Sequence, residues 1–377
     1  MIDRQVLQPE IISELIDNFG IKEKYNGHIR LNVGHINDTF KVCCHNKNYI
    51  FQRINTSVFK NIDGLIKNIA DVTAYIRDKI NAENSDERNE VLNILQGKDG
   101  KYCYTASDGA IYRIYDFIEN AISYSGAYSP EIFKESAVTF AKFQRYLSGY
   151  PVEKITDSIP DFHNTAKRYE AFEAAVKRDI AGRRAEVEDL IAFVRKRKAY
   201  KDTVVDKLAD GSIPVRVTHN DTKLNNVMID RETGKGVCVI DLDTIMKGSL
   251  LYDFGDSVRF GCNTANESET DLDKVEADTE MFKAYVRGYL SVMKDTITSE
   301  ELELLAFSGI LMTYECGMRF LTDYLEGDVY FRVDEPLQNL HRARNQFKLV
   351  EDLEKKLKLF NRIVADTARD LSIGGGK

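Results

Sequence analysis

Apolar and polar residues alternate along the first third of the chain and predict a small antiparallel sheet. Three strand-like segments come first, at 27–33, 39–44 and 49–55, with polar turns between them. A segment with helical spacing of apolar residues follows at 58–79, and two more strand-like segments at 101–105 and 110–117 flank a Ser-Asp-Gly turn. The pattern therefore predicts three strands, one long amphipathic helix and two further strands.

Beyond residue 130 the apolar residues recur with the period of a helix. The expected helices lie at 130–147, 164–181, 185–207, 273–293, 300–325 and 337–371. The uncharged apolar run 304–314 has 11 residues, far fewer than the roughly 20 needed to span a bilayer, so we expect a helix of the protein core. The chain is accordingly expected to be α+β, with a small antiparallel sheet first and mainly helices afterwards.

Composition narrows the classes of partner. The 377 residues carry a formal net charge of -8 and are 43% hydrophobic, which gives no electrostatic reason to expect nucleic acid or a membrane as a partner. The acidic, amphipathic N-terminus is unlike a signal peptide, and six cysteines without a CxxC spacing indicate reduced thiols rather than structural zinc. We therefore expect a cytoplasmic protein, and the sequence leaves its oligomeric state open.

A motif with chemical meaning lies at 217–226, where the chain reads Val-Thr-His-Asn-Asp-Thr-Lys-Leu-Asn-Asn and contains an H-x-D-x-x-x-x-N loop. Two β-branched segments, 226–230 and 237–242, enclose a turn and return Asp241 to that loop. Phosphoryl transfer from ATP needs a carboxylate beside the attacking hydroxyl, and an amide and a second carboxylate on magnesium. The spacing predicts Asp221 as the base and Asn226 and Asp241 as Mg²⁺ ligands, with ATP as the donor.

A second motif, Asp253-Phe254-Gly255, spells the DFG sequence of protein kinases. It follows Asp221 by 32 residues, whereas Asp241 follows by 20, which leaves room for one hairpin. We therefore interpret Asp253 as structural, capping a helix or accepting hydrogen bonds from loop amides beside the site. His219 is likewise expected to hold the loop rather than to carry a proton.

The order of elements is that of a kinase N-lobe and predicts a protein-kinase-like two-lobed fold. We expect an N-lobe at 1–117, a hinge at 118–122 and a helical C-lobe at 123–377, with adenine beside Phe117 and Ile118. The chain has no G-x-G-x-x-G loop and no VAIK-type lysine, so Arg53 on the third strand is predicted as the cation that reaches the nucleotide phosphates. Because a Walker lysine motif is absent, a P-loop enzyme is excluded.

Four segments resemble one group of phosphotransferases. The loop HNDTKLNN, the strand end VIDLDT, the segment DFGDSVRFG and the first turn GHINDTF are similar to the aminoglycoside phosphotransferase and choline kinase-like superfamily. Within that superfamily the chain most resembles the N-acetylhexosamine 1-kinases, which phosphorylate the anomeric hydroxyl of N-acetylglucosamine or N-acetylgalactosamine. The resemblance implies the same base and Mg²⁺ ligands as the spacing, and a small-molecule sugar as the acceptor.

The resemblance also implies a set of substrate-binding residues. These residues are Asp38, His35, Thr244, Arg319 and Tyr330. Each has a plainer alternative: an ion pair for the arginine, a core ring for the tyrosine and a turn for the threonine. Two other functions stay open, namely a kinase of the same fold acting on choline, ethanolamine or an aminoglycoside, and a non-catalytic nucleotide-binding module.

Overall fold

The computed structural model describes residues 6–31, 36–83, 88–126 and 129–373. Five strands form the first sheet: β1 (Tyr25–Leu31), β2 (Asp38–Cys44), β3 (Asn48–Arg53), β4 (Tyr104–Thr105) and β5 (Ile111–Asp116). They are antiparallel in the order β1-β2-β3-β5-β4. Two helices accompany the sheet, α1 (Pro9–Asn18) and α2 (Ile62–Glu83).

The register of these strands decides which side chains share a face. Thr39 pairs with Gln52, and Gln52 pairs with Arg113. Residues directly opposite one another in an antiparallel pair point to the same face, and their neighbours along the strand point to the other. Asp38 and Arg53, which also pair with each other, therefore lie on the second face. That second face carries the apolar side chains that pack on α1.

Five short strands form two small sheets in the second part of the chain. The strands are β6 (Ala121–Ile122), β7 (Arg216–Thr218), β8 (Val227–Asp230), β9 (Gly236–Val239) and β10 (Met246–Gly248). One sheet has the order β6-β8-β9, and the other pairs β10 with β7. The chain thus passes from the first sheet to the next between the end of β5 and the start of β6.

Helices make up most of the remainder. They are α3 (Pro130–Leu147), α4 (Thr165–Arg178), α5 (Glu188–Lys196), α6 (Thr203–Ala209), α7 (Leu250–Gly261), α8 (Thr279–Met293), α9 (Ser299–Glu326) and α10 (Gln338–Asp370). Their apolar faces share one large core. The architecture is the predicted α+β class, a small antiparallel sheet followed by a helical part.

Two glycines allow α7 and α9 to approach closely. A Cβ atom on Gly255 would lie 2.3 Å from the carbonyl oxygen of Ser308, and one on Gly309 would lie 2.7 Å from a methyl carbon of Val258. Any larger residue would force the two helices apart. The glycine of the DFG sequence is therefore explained by helix packing, and α7 begins with the aspartate of that sequence already in its first turn.

The segment 185–207 differs from the prediction of one continuous helix. It contains α5, a 3₁₀ segment at Lys198–Asp202, and α6. At the break, the guanidinium of Arg197 donates to both carboxylate oxygens of Glu354 on α10, at 2.6 and 2.7 Å, and lies 3.6 Å from the ring centre of Phe193. Neither Gly nor Pro marks this position, so a tertiary contact overrides the local helical preference.

The start of α8 also differs from the prediction, which placed it at residue 273. Residues Leu272–Lys274 form a separate 3₁₀ turn, and Asp278 caps α8 by accepting from the amides of Glu280 and Met281 at 2.8 and 3.0 Å. An aspartate before a run of apolar residues is a helix-start signal. This boundary was therefore readable from the sequence.

The apolar run 304–314 lies in α9, as predicted, within the core. The helix is long and apolar enough to cross a membrane by length and composition, but 78% of its most apolar window is buried inside the protein. It packs against α7, α10 and α4. Core packing accounts for its composition.

Candidate active site

The loop after β7 contains the H-x-D-x-x-x-x-N motif, residues 219–226, and is called here the catalytic-type loop. Carboxylates of α7 hold it in place. Asp253 accepts from the amides of His219 and Asn220 at 2.9 and 2.7 Å, and Asp256 accepts from the amide of Thr222 at 3.0 Å. Gln144 of α3 also donates to Asp253 at 2.6 Å. The role predicted for Asp253, accepting hydrogen bonds from loop amides, is the one observed. These contacts fix the backbone on both sides of Asp221.

His219 fixes the same loop from its other side. Its Nε2 lies 2.9 Å from the carbonyl oxygen of Ile240, and the amide of Asp221 donates to its Nδ1 at 3.3 Å. A ring that accepts at Nδ1 must carry its proton on Nε2. His219 thus ties the loop to the chain that follows β9, which is the scaffold role expected from the sequence.

Asp221 has two close polar neighbours. Lys223 places its Nζ 3.0 Å from one carboxylate oxygen, and Asn226 donates to the other at 3.1 Å and to the backbone carbonyl at 2.8 Å. Burial is the largest single influence and would raise the pKa of Asp221, but the charge and hydrogen bond of Lys223, together with the nearby His219 and Arg259, outweigh it and the pKa is lowered. The carboxylate is therefore ionised at neutral pH and able to accept a proton.

Asp241 lies just beyond β9 in a left-handed backbone conformation, with φ 59°. A non-glycine residue held there costs of order 1 kcal/mol or more and is characteristic of functional sites. Its side chain opens on a cleft yet lies deep among protein atoms. Burial, followed by the nearby charges of Asp243 and Asp221, raises its pKa to about 6. A divalent cation beside these carboxylates would relieve that repulsion, so the donor set fits Mg²⁺.

The cleft lies between the first sheet and the β8–β9 hairpin. Its sheet side includes Thr39, Gln52 and Arg113, and its far side includes Asn226 and Asp241. Apolar side chains also line it, among them Leu92, Met228 and Ile240. A cleft lined mostly by apolar side chains together with a few polar groups suits a small-molecule ligand such as a nucleotide.

Phe117 and Ile118, predicted to lie beside adenine, both line this cleft. The amide of Phe117 donates to the carbonyl oxygen of Asn48 at 3.1 Å, and the Nζ of Lys41 lies 3.8 Å from the centre of the Phe117 ring. These contacts fix the chain where it leaves β5.

Arg53 and Asp38 are not brought to the cleft. They lie on the α1 face of the sheet, where Arg53 donates to Asp38 at 2.7 and 3.0 Å and Arg30 donates to the same carboxylate at 2.8 Å. The prediction that Arg53 reaches the phosphates is therefore corrected, because strand alternation turns it away. The same reason removes Asp38 from the cleft, and His35 lies outside the described residues.

Thr244 is buried in the 3₁₀ turn after Asp241. Its hydroxyl donates to the carbonyl of His219 at 2.6 Å, and its own carbonyl accepts from Asn220 at 2.8 Å. The structure thus uses Thr244 to hold the catalytic-type loop.

Arg319 and Tyr330, by contrast, are brought together. The guanidinium carbon of Arg319 lies 5.9 Å from the ring centre of Tyr330, 5.2 Å from that of Phe162 and 5.4 Å from that of Phe331. We call these three rings the aromatic cluster. Tyr330 is 59% exposed, so the cluster is open to solvent on one side.

One row of charged residues on α9 links the aromatic cluster to the catalytic-type loop. Glu315 and Arg319 stand one turn apart, and Glu315 accepts from Thr165 at 2.5 Å and lies 2.7 Å from Nδ1 of His163. The other ring nitrogen of His163 lies 3.1 Å from the carbonyl oxygen of Asn220. The residue next to Asp221 is thus connected through two side chains to the helix that carries Arg319.

Asp323, one further turn along α9, holds the loop that carries two rings of the aromatic cluster, Tyr330 and Phe331. Its carboxylate accepts from the backbone amides of Val329, Tyr330 and Phe331 at 2.9, 2.8 and 2.9 Å. Asn339 of α10 donates to it at 2.9 Å. The backbone of this loop is therefore fixed, although the side chain of Val329 is 75% exposed.

The sequence profile of the phosphotransferase enzyme family (APH) matches residues 88–294, which is more than half of the chain. The chain belongs to this phosphotransferase family. The match includes the catalytic-type loop, the hairpin and α7.

Three solved structures share the fold of this phosphotransferase. A microcompartment-associated aminopropanol kinase is 16% identical, with a TM-score of 0.54 over 89% of this chain and 93% of that one. An aminoglycoside phosphotransferase from Alicyclobacillus acidocaldarius is 12% identical, with a TM-score of 0.56 over 97% of each chain. A spectinomycin phosphotransferase, solved with ADP and spectinomycin, is 12% identical, with a TM-score of 0.52 over 98% of this chain and 99% of that one. At these identities the likeness concerns the fold alone.

Two cations of the phosphotransferase site were not found from the sequence. Lys223 stands two residues after Asp221 inside the motif itself, so its position was visible. Arg113 belongs to the strand Ile-Tyr-Arg-Ile-Tyr-Asp, where a charged residue at a buried position is a signal, but its partners come from other strands and from the chain beyond β9. Only the folded arrangement of the strands reveals which face it occupies.

Proposed function

We propose that this phosphotransferase is an ATP- and Mg²⁺-dependent kinase of the anomeric hydroxyl of N-acetylhexosamines. The observation that carries the proposal is the convergence of Asp221, Asn226 and Asp241. Asn226 contacts Asp221 directly and lines the same cleft as Asp241. Phe117 and Ile118 line the same cleft.

The chain's own residues are assigned two tasks, accepting one proton and holding the metal. Asp221, ionised and held by Lys223, accepts the proton of the sugar hydroxyl as the oxygen attacks the γ-phosphorus of ATP. The bond from phosphorus to the bridging oxygen breaks in line, and ADP leaves. Mg²⁺, held by Asn226 and Asp241, would supply positive charge for the phosphate oxygens. An anomeric hydroxyl is more acidic than an ordinary alcohol, so a carboxylate is an adequate base.

The surroundings of Arg319 support a neutral, oxygen-rich acceptor. Among the described residues its guanidinium has ring contacts and no hydrogen-bond partner. Arg168 lies nearby, and burial followed by the charge of Arg319 lowers its pKa. Two neighbouring guanidinium groups repel a cationic acceptor such as choline or an aminoglycoside, whereas sugar oxygens accept hydrogen bonds from them.

A substrate panel tests the proposal. The protein with ATP and Mg²⁺ is offered N-acetylglucosamine, N-acetylgalactosamine, glucose, galactose, choline and kanamycin, and the products are identified by ³¹P and ¹³C NMR. We expect an α- or β-linked 1-phosphate from the N-acetylhexosamines and no product from the cations. A 6-phosphate product, or turnover of choline or kanamycin alone, would contradict the anomeric assignment. Failure to bind ADP would contradict kinase activity as a whole.

A further inference from the structure

Arg113 of β5 is a charged side chain buried in the wall of the cleft. It is 1% exposed. The cleft wall includes Arg113 together with Asn226 and Asp241, and Arg113 is the single cationic side chain among the described residues that line it. A nucleotide with two or three phosphates brings several negative charges into this space, so the charge of Arg113 bears directly on what the cleft can bind.

Two side chains fix the orientation of Arg113. Its Nε donates to the amide oxygen of Gln52 at 3.0 Å, and its Nη1 lies 2.5 Å from a carboxylate oxygen of Asp243. The other carboxylate oxygen of Asp243 accepts from Asn37 at 2.5 Å. Gln52 and Asp243 thus hold the guanidinium from the sheet side and from the side of Asp241.

One terminal nitrogen of Arg113 has no acceptor among the described residues. Nη1 forms a buried ion pair with Asp243 and Nε donates to Gln52, whereas no described residue accepts a hydrogen bond from Nη2. The guanidinium therefore keeps N–H groups that a ligand in the cleft can use.

The strand that carries the phosphate-binding lysine in protein kinases offers no cation here. The residues of β3 that line the cleft are Ile50 and Gln52, while Arg53 lies on the α1 face with Asp38. The side chain of Gln52 is uncharged, but it accepts a hydrogen bond from Arg113 on the neighbouring strand. Arg113 of β5 therefore supplies the positive charge in the wall of the cleft.

We propose that Arg113 binds the phosphate chain of the nucleotide, with Gln52 and Asp243 as its positioning residues. This inference rests on the proposed function, since it assumes that the cleft binds ATP. A guanidinium donates two parallel hydrogen bonds to phosphate oxygens. The side chain already lies in its binding orientation, so little conformational entropy is lost when the nucleotide enters.

The test separates binding of phosphate from binding of adenosine. Isothermal titration of the full chain with ADP, AMP and adenosine is carried out for the native protein, Arg113→Lys and Arg53→Lys. We expect Arg113→Lys to weaken ADP binding by about 10- to 100-fold, the range expected for lost charge-assisted hydrogen bonds, and to leave adenosine binding unchanged. Arg53→Lys, the matched control on the opposite face of the same sheet, should keep the native affinity for ADP.

A second variant keeps the test decisive if Arg113→Lys fails to fold. Gln52→Leu leaves the charge and the Asp243 contact in place but removes the hydrogen bond to Nε. It should weaken ADP binding about 3-fold, a small loss typical of one neutral hydrogen bond, without affecting adenosine.

The outcomes distinguish the inference from the function on which it rests. If the native protein binds ADP, but Arg113→Lys or, should that variant not fold, Gln52→Leu changes ADP and adenosine affinity equally or not at all, the inference is overturned and the proposed function stands. If the native protein binds no ADP, both fall.

Discussion

The cleft and the aromatic cluster are built in different ways. Side chains of the cleft are supported on strands and on the loops directly attached to them, and several are almost fully buried, as Arg113 and Asn226 are. The rings of the aromatic cluster come from two loops, the turn before α4 and the loop after α9, and Tyr330 is largely exposed. The groups that we propose to bind the phosphates are thus fixed in a rigid scaffold, whereas the rings that we propose to contact the acceptor lie on loops, where sequence varies more readily.

The largest effect on this comparison should come from Asp221→Asn. Without the base we expect turnover to fall by about 100-fold or more, while the melting temperature and ADP affinity stay close to native. Steady-state kinetics with calorimetric binding of ADP measures both. Activity within a few-fold of native would show that the carboxylate does not take the proton.

Asp241→Asn should separate function from stability within the cleft. We expect turnover to fall by orders of magnitude, because a carboxylate that we propose to bind Mg²⁺ is lost, and the metal-free protein to become more stable at neutral pH. The folded state raises the pKa of Asp241 from its usual 3.8 to about 6, so the ionised carboxylate opposes folding above that range and the protonated one does not.

The pH dependence supplies the control for Asp241→Asn. The gain in melting temperature should be absent near pH 4, should grow as the pH rises toward about 6, and should then stay constant. Differential scanning calorimetry of both proteins across this range, without metal, measures it. A gain that is the same at every pH would mean that the charge of Asp241 is not its source.

Arg319→Lys should weaken binding of the sugar acceptor and leave binding of ATP unchanged. Lysine keeps the charge but loses the planar fork that contacts three rings. We expect KM for the sugar to rise about 10-fold, as for a lost charged hydrogen bond, with KM for ATP unchanged. Arg332→Lys is the matched control, because the side chain of Arg332 is 78% exposed and forms an ion pair with Asp334, away from the three rings. If both substitutions raise KM for the sugar equally, Arg319 does not bind the acceptor.

Asp323→Asn should have the smallest effect on catalysis. An amide in place of the carboxylate accepts fewer of the hydrogen bonds from the loop amides, so we expect KM for the sugar to rise a few-fold and turnover to stay native. The free energy of unfolding should fall by about 2 kcal/mol, since buried donors lose their partner. Urea titration and acceptor kinetics give the two values, and an unchanged KM would show that the loop conformation does not matter for the acceptor.

Features encoded over short stretches of sequence were predictable. The H-x-D-x-x-x-x-N spacing and the hairpin after it located Asp221, Asn226 and Asp241, and helical periodicity located α3 to its exact ends. The positions of Arg53 and Arg113 were not, because they depend on which residues pair across three strands. The break between α5 and α6 depends on Arg197 meeting Glu354 on a distant helix. These misses concern contacts between residues far apart in sequence, whereas the start of α8 and the role of Lys223 were missed although their signals are local.

The row of Glu315, Arg319 and Asp323 fixes a length inside the protein. Successive members stand four residues apart on α9, which is about 6 Å along a helix. Because a helix keeps its length, the distance between Glu315, which is linked through His163 to Asn220, and the loop held by Asp323 is fixed. Enlarging the range of acceptors by engineering should therefore succeed through changes to residues 328–337 and fail through changes to the helix itself.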